Sequence, residues 1–164
     1  MPKLISHRGK LSPNDDEPNT EIKLEKKLEI ISNVDLMIEI DFWIDSETIK
    51  VGHEPESSFS VSRDLLKKYQ KNILAHIKNP MQNFPYKLLA ELKIESFVHS
   101  IEPVIFTSKA TPFCHSSLCN NFKYSKDISL IMPEKVMSKK ELSSHFFANP
   151  FLLTEHIDTL NQKH

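Results

Sequence analysis

Residues Ile38–Phe42, with the sequence Ile-Glu-Ile-Asp-Phe, place two carboxylates inside an otherwise apolar segment. Side chains alternate across a β-strand, so Glu39 and Asp41 share one face while the three apolar side chains share the other. The flanking apolar residues predict a buried strand over Asp35–Trp43, with its apolar face packed under helices. The alternative is an edge strand whose carboxylates face solvent.

Outward from this strand, segments with strand and helix patterns alternate along the chain. We predict further strands over Lys3–Ser6, Ile73–Ile77, Pro103–Thr107 and Ile128–Met132. We predict helices over Glu21–Ser32, Val61–Lys71, Phe84–Phe97, Lys139–Phe147 and Leu153–Leu160. The first has Thr20 as its predicted N-cap, and its apolar face consists of Leu24, Leu28 and Ile31. This alternation predicts an α/β protein with a mostly parallel sheet, and the length of 164 residues predicts a single domain over residues 1–164.

The chain has only two glycines, and each adjoins a histidine, in His7-Arg8-Gly9 and Gly52-His53. Glycine tolerates unusual backbone angles and the close approach of a ligand, so both glycines predict functional loops. His7 follows the predicted strand Lys3–Ser6, and His53 follows a short extended segment predicted over Thr48–Val51. We therefore expect His7 and His53 to meet at one rim of the sheet as a candidate acid and base pair.

The predicted strand Ile73–Ile77 supplies further polar side chains. Alternation places His76 and Lys78 on one face and Ile77 on the other. Two carboxylates such as Glu39 and Asp41 repel one another in a site of low dielectric constant, and a bound divalent cation is the usual remedy.

Composition excludes several classes of function. The net charge of -1, with acidic and basic residues mixed along the chain, gives no basic footprint for nucleic acid or an anionic membrane. No apolar run approaches the roughly 18 residues of a membrane span, and residues 1–10 show no signal-peptide pattern. Cys114 and Cys119 are too few for a disulfide framework and lack the paired spacing of a zinc site. We therefore expect a cytoplasmic protein without membrane insertion.

The order and context of these residues together resemble the glycerophosphodiester phosphodiesterase family, within the phospholipase-C-like phosphodiesterases. The matching stretches are His7-Arg8-Gly9, Asn19-Thr20, Glu39-Ile40-Asp41, and Gly52-His53-Glu54 where the family usually has Gly-His-Asp. The match covers about the first 80 residues, and the remainder resembles the family only loosely. His76-Ile77-Lys78-Asn79 resembles a segment of short bacterial members.

The resemblance implies a metal-dependent phosphodiesterase of lipid metabolism that cleaves a glycerophosphodiester-like or sugar-phosphodiester substrate. It implies that His7 and His53 are the general acid and base, in either order. It implies that Glu39 and Asp41 bind a divalent metal, Mg or Ca. Arg8 would bind the phosphate, and Lys78 would bind further phosphate oxygens. Hydrolysis by water and formation of a cyclic phosphate both remain open.

The chain departs from the family pattern in one metal ligand. The family has a metal-binding glutamate two residues before the lysine, where this chain has His76. Imidazole shifts the preference toward Mn or Zn, so the resemblance leaves the metal open. A catalytically impaired relative that serves as a binding or assembly module is the alternative function.

Length is the second departure, because a complete eight-stranded barrel typically takes about 250 residues. We therefore expect a TIM-barrel-like parallel β/α fold whose barrel is shortened or incomplete. Its open sheet edges would need covering, for which a homodimer is one solution.

Overall fold

The computed structural model describes residues 3–12, 14–34, 36–46, 48–80, 83–98, 104–114, 130–131 and 151–154. Its α-helices are α1 (Glu21–Asn33), α2 (Arg63–Lys68) and α3 (Phe84–Glu91). Its strands are β1 (Lys3–Ser6), β2 (Met37–Ile44), β3 (Ile49–Val51), β4 (Phe59–Ser60), β5 (Ile73–Ile77), β6 (Glu95–Phe97), β7 (Val104–Phe106), β8 (Pro112–Cys114), β9 (Leu130–Ile131) and β10 (Phe151–Thr154). A 3-10 turn, His7–Gly9, follows β1 directly.

These strands form one mixed sheet in the order β4-β3-β2-β1-β10-β9-β8-β7, and β5 followed by β6 branches from β2. Strand β2 pairs in parallel with β5 along one edge. Its other edge pairs in parallel with β1 near its start and antiparallel with β3 near its end. Strand β2 is therefore central, and β1 and β5 end beside the positions of its carboxylates.

The predicted TIM-barrel-like parallel β/α fold, shortened or incomplete, is wrong. The sheet is mixed, with β2–β3, β3–β4 and β7–β8 antiparallel, and the described part of the chain has only three α-helices. Parallel neighbours need a crossover of about a dozen residues or more, whereas the chain reverses with only four residues between β2 and β3 and five between β7 and β8. At the first reversal, the Asp45 carboxylate accepts the Thr48 N–H at 2.7 Å and the Thr48 hydroxyl at 3.0 Å.

The main core lies between the sheet and the helices. Helix α1 begins at a Thr20 N-cap, whose hydroxyl accepts the Lys23 N–H at 3.3 Å. Its buried residues, Leu24, Leu28 and Ile31, pack in the same cluster as Ile38, Ile40 and Phe42 of β2. The predicted apolar faces of α1 and β2 are therefore confirmed, and they fix the position of β2 beneath α1.

The later helices differ more from the predictions. The helix predicted over Phe84–Phe97 ends at Glu91, and Lys93 adopts a positive φ of 57° before the chain enters β6. The predicted helix over Lys139–Phe147 lies outside the described residues, and the one over Leu153–Leu160 begins in β10 and then leaves them. Within the described ranges, every helix is too short or too polar to cross a bilayer.

Candidate active site

The carboxylates of β2 lie on the face opposite the main core. In the parallel register, Glu39 is paired with Leu74 and Asp41 with His76. Paired residues in neighbouring strands point to the same side, so Asp41 and His76 are adjacent above the sheet. Glu39 is 2% exposed and Asp41 4%, so neither carboxylate faces solvent as the edge-strand alternative required.

Glu39, Asp41 and His76 form a group that could hold a metal ion. Ligand atoms from the three residues lie within 4.8 Å of one another. The same ring nitrogen, His76 Nδ1, lies 2.6 Å from Asp41 Oδ1 and 3.6 Å from Glu39 Oε1. The His76 ring stacks on Phe97 with centroids 4.8 Å apart and the ring planes at 8°, which holds the plane of the imidazole. Two carboxylates and one imidazole are a donor set that suits a divalent metal.

The environment of Glu39 disfavours the ionised form of its carboxyl group. Burial away from water, followed by the charge of Asp41, raises the pKa of Glu39 to about 8. The Arg8 N–H, which donates to Glu39 Oε2 at 2.9 Å, opposes this shift in part. A bound cation would offset the repulsion that now favours the protonated form.

Asp41 has the opposite behaviour although it is also buried. Burial alone would favour its neutral form, but hydrogen bonds from His76 and His53 outweigh burial and lower the pKa of Asp41 to about 2. The ammonium of Lys78, 4.0 Å from Asp41 Oδ1, adds to this effect. Asp41 is therefore the carboxylate of the pair that stays ionised, and Glu39 is the one whose charge responds to its surroundings.

The turn His7–Gly9 brings Arg8 to these carboxylates. Arg8 has φ 51° and Gly9 has φ 72°, both in the left-handed region. For a residue with a Cβ, such a conformation costs of order 1–3 kcal/mol and needs support from its surroundings. A Cβ added to Gly9 would lie 3.0 Å from Ile38 Cδ1 and from Pro18 Cδ, so the predicted need for glycine here is explained by space as well as by angle.

The Arg8 guanidinium connects the parts of the site. Its Nη2 lies 3.2 Å from His53 Nε2, its Nε lies 3.9 Å from Asp41 Oδ2, and its Nη1 lies 3.6 Å from Glu17. Arginine can only donate, so His53 Nε2 accepts in this contact, and Glu54 Oε1 lies 3.4 Å from the same nitrogen. The imidazole proton of His53 is then on Nδ1, from which it donates to Asp41 Oδ2 at 2.9 Å. Asp41 thus orients His53 with the Nε2 lone pair facing Arg8.

The loop that carries His53 is held by the end of β2. The Gly52 N–H donates to the Asp41 carbonyl at 3.1 Å, and the Gly52 carbonyl accepts the Trp43 Nε1–H at 2.9 Å. Gly52 has φ 149°, and a Cβ there would lie 2.9 Å from Ser58 Cα. Both the backbone angle and the lack of space therefore explain the predicted need for glycine at this position. No sequence signal predicted the hydrogen bond from Trp43.

The remaining candidates lie around the same carboxylates. His7 Nε2 is 3.9 Å from Glu39 Oε2, and the side chain of His7 is 14% exposed. Lys78 continues the strand ladder, with its N–H donating to the Phe42 carbonyl at 2.9 Å. The structure therefore brings all the candidates together, each within 4.0 Å of Glu39 or Asp41: His7, Arg8, His53, His76 and Lys78.

Sequence reasoning assigned no supporting role to Asn79 or Lys27, which both hold parts of this site in place. The Asn79 amide accepts the Ile44 N–H at 3.2 Å and donates to the Ile44 carbonyl at 2.6 Å, which joins the ends of β5 and β2. Lys27 of α1 donates to the Gly9 carbonyl at 2.8 Å. The signal for Lys27 was its position next to Leu28, at the border of the buried face of α1.

Comparison with known proteins identifies no family, so the site has to be interpreted from its geometry. No family model, curated protein or solved structure matches the chain. The chemistry of the clustered side chains is therefore the basis for assigning a function.

Proposed function

We propose that this chain is a metal-dependent phosphodiesterase, a phosphoric diester hydrolase similar to the glycerophosphodiester phosphodiesterases. It would cleave a glycerophosphodiester-like or sugar-phosphodiester substrate with two histidines as acid and base. One observation supports this most: the two loop histidines and Arg8 surround a group of Glu39, Asp41 and His76 whose ligand atoms lie within 4.8 Å of one another. Two buried carboxylates repel one another, so stability alone does not explain why the fold brings these residues together.

Glu39, Asp41 and His76 would hold the metal. When bound, a divalent metal would neutralise charge on a phosphodiester oxygen and orient the attacking hydroxyl or water. The carboxylates suit Mg or Ca, and the imidazole of His76 favours Mn or Zn. Because His76 Nδ1 faces both carboxylates, the imidazole belongs to the same site rather than to a separate one.

Arg8 and Lys78 would bind the phosphate. Both cations lie at Asp41, with Arg8 Nε 3.9 Å from Oδ2 and Lys78 Nζ 4.0 Å from Oδ1. Arginine offers paired donors that match two phosphate oxygens, while lysine acts as a compact point charge. A phosphate held by Arg8 would also compete for the guanidinium that now contacts His53 Nε2.

The hydrogen bonds around His53 support its assignment as the base. Its Nδ1–H is committed to Asp41, and its Nε2 carries the lone pair that a base requires. Binding of phosphate to Arg8 would free this lone pair to take a proton from the attacking hydroxyl or water. His7, the second imidazole, would then protonate the leaving alcohol.

The reaction itself can be tested with metal-stripped protein resupplied separately with Mg, Ca, Mn or Zn. Hydrolysis of bis(p-nitrophenyl) phosphate should need a metal and should be lost in Asp41→Asn and in His53→Ala. Asp64→Asn makes the same change at an exposed position of α2 and should keep full activity. Absence of activity with every metal in a folded protein would contradict the proposal. Calorimetric metal titration would then test the alternative of a binding or assembly module.

The acid and base can be separated by the leaving group. A departing p-nitrophenolate needs little protonation, whereas an alkyl alcohol needs an acid. His7→Ala should therefore retain far more activity on the nitrophenyl diester than on glycerophosphocholine, while His53→Ala should lose both. The reverse pattern would exchange the two roles. Analysis of the products would distinguish water attack from formation of a cyclic phosphate.

We further propose that the enzyme works in the cytoplasm on small phosphodiesters. The chain has only two cysteines, which is typical of proteins in a reducing compartment. Fractionation of cells that express the tagged protein would test this location.

A further inference from the structure

Lys27 of α1 places its ammonium in the loop that follows the turn His7–Gly9. The ammonium donates to the Gly9 carbonyl at 2.8 Å, to Asp15 Oδ2 at 2.6 Å and to the Asp16 carbonyl. An ammonium has three protons, so these acceptors use all of them. The side chain is 12% exposed, which is low for a lysine outside a binding site.

The loop contacted by Lys27 is a compact unit. Asp15 Oδ2 also accepts the Leu11 N–H at 2.9 Å, and the Asp15 N–H donates to the Ser12 carbonyl at 3.1 Å. One ammonium therefore joins this unit to α1. Helix α1 is itself anchored in the core by Leu24 and Leu28, both fully buried.

The chain of contacts continues into the site. Gly9, whose carbonyl Lys27 binds, is the last residue of the turn that holds Arg8 at φ 51°. In the middle of that turn, the Arg8 N–H donates to Glu39 Oε2 at 2.9 Å. The turn is thus held at its middle residue by Glu39 of β2 and at its last residue by the ammonium of α1. A left-handed arginine persists only where its surroundings hold it in that conformation.

We propose that Lys27 is a positioning residue that holds Arg8 and His7 in their working geometry by fixing the carbonyl of Gly9. This role rests on the proposed phosphodiesterase function, and it assigns to α1 a part in catalysis beyond packing. The hydrogen bonds of the Lys27 ammonium go to Gly9, Asp15 and Asp16 rather than to Glu39 or Asp41, so Lys27 acts through the turn.

Three variants of α1 test the role. Lys27→Met keeps the length of the side chain but removes every donor, and Lys27→Arg keeps the charge and the donors. Lys26→Met makes the same change at the neighbouring exposed position and serves as the control. If Lys27→Met does not fold, Lys27→Gln replaces it, since the glutamine amide is uncharged and retains only two donors.

Amide hydrogen exchange of the metal-free protein gives a readout that does not depend on activity. The Arg8 N–H donates to Glu39 and the Lys10 N–H donates to the His7 carbonyl, so both report on the turn. In Lys27→Met these two amides should exchange at least about tenfold faster than in the wild type, while amides of β5 keep their rates. Lys26→Met should leave both sets unchanged.

Kinetics on the metal-loaded protein provide the second readout. In Lys27→Met, kcat should fall and KM should rise, with kcat/KM reduced at least about tenfold, because His7 and Arg8 both lose their placement. Lys27→Arg should restore most of the loss, which a general loss of packing would not predict.

Each outcome decides between the alternatives. Unchanged exchange at Arg8 and Lys10, or an equal increase in all strands, would overturn the positioning role. Kinetics of Lys27→Met that match Lys26→Met would also overturn it. If the wild type is inactive with every metal while exchange in the turn still rises in Lys27→Met, then Lys27 holds the turn and the proposed reaction is wrong.

Discussion

The two faces of β2 are equally buried and chemically opposite. Ile38, Ile40 and Phe42 are at most 3% exposed on one face, while Glu39 and Asp41 are 2% and 4% exposed on the other. Burial therefore does not distinguish the stabilising face from the functional face. The difference lies in the partners, which are apolar side chains on one face and hydrogen-bond donors on the other.

Burial has opposite effects on the free energy of folding for the apolar side chains and for the carboxylates. Each large apolar side chain contributes roughly 1.5–3 kcal/mol when it leaves water. A buried carboxylate loses its hydration, and its donors at best offset that penalty. Asp41 is supplied with enough donors to remain charged, whereas Glu39 is not. We therefore expect the apolar face to carry the stability of this region and the polar face to carry its chemistry.

The largest effect on stability is expected on the apolar face. Phe42→Ala should lower the free energy of unfolding by about 3–5 kcal/mol, because it leaves a cavity beside α1 and removes a fully buried ring. Phe106→Ala makes the same change at a ring that is 66% exposed, and should cost little. Urea denaturation of both variants measures the difference. Equal losses would mean that burial on β2 does not determine its stability.

A smaller effect is expected where the polar face ends. Trp43→Phe keeps an aromatic ring but removes the Nε1–H bond to the Gly52 carbonyl. We expect a loss of about 1 kcal/mol in the free energy of unfolding and a lower kcat, since the bond holds the loop of His53. Denaturation and kinetics on the nitrophenyl diester measure both quantities. Unchanged kcat would show that the loop keeps its position without Trp43.

A still smaller effect is expected at the loop outside the sheet, and it depends on pH. Burial opposes ionisation of Asp15, but hydrogen bonds from Lys27 and the Leu11 N–H prevail and lower its pKa. A lowered native pKa contributes stability above the unfolded value of about 3.9, and that contribution is lost as the pH falls through the native value. Asp15→Asn should therefore cost less than about 1 kcal/mol near neutral pH, with a smaller deficit in acid.

Urea denaturation of Asp15→Asn at several pH values checks this sign, with Asp64→Asn at an exposed position as control. A deficit that grows as the pH falls would contradict the assignment of Lys27 as the partner of Asp15.

The smallest effect on stability is expected on the polar face itself. Glu39→Gln keeps an oxygen for the Arg8 N–H, and its amide is uncharged like the protonated carboxyl that the raised pKa of Glu39, about 8, favours. In metal-free protein the free energy of unfolding should therefore change by less than about 1 kcal/mol, or increase. Urea denaturation in a chelator measures it. A loss as large as that of Phe42→Ala would show that both faces of β2 stabilise the fold.

Local pattern was sufficient for several elements and for the candidate residues. The alternation of Ile38–Phe42 predicted which side chains share a face, and the Thr20 cap with Leu24 and Leu28 predicted α1. The turn residues beside Gly9 and Gly52 were also predicted, because positive φ and close packing leave a local signal. These features depend on neighbours in the chain.

Strand pairing was not predictable in the same way. The Asp45 turn that reverses β2 into antiparallel β3 made the fold differ from the expected barrel, and the three-residue strand β6 lies inside a predicted helix. So short a strand forms because β5 offers it a partner, and local propensity is too weak to indicate it.

The sequence by itself determined the residue types of the site and the faces on which they stand, because alternation and glycine geometry are local properties of the chain. Only the tertiary structure decided that His7, His53 and His76 meet at Glu39 and Asp41, and that Lys27 and Trp43 hold the loops. Those contacts join residues far apart in sequence, so their energies arise only when the strands pair and the helix packs.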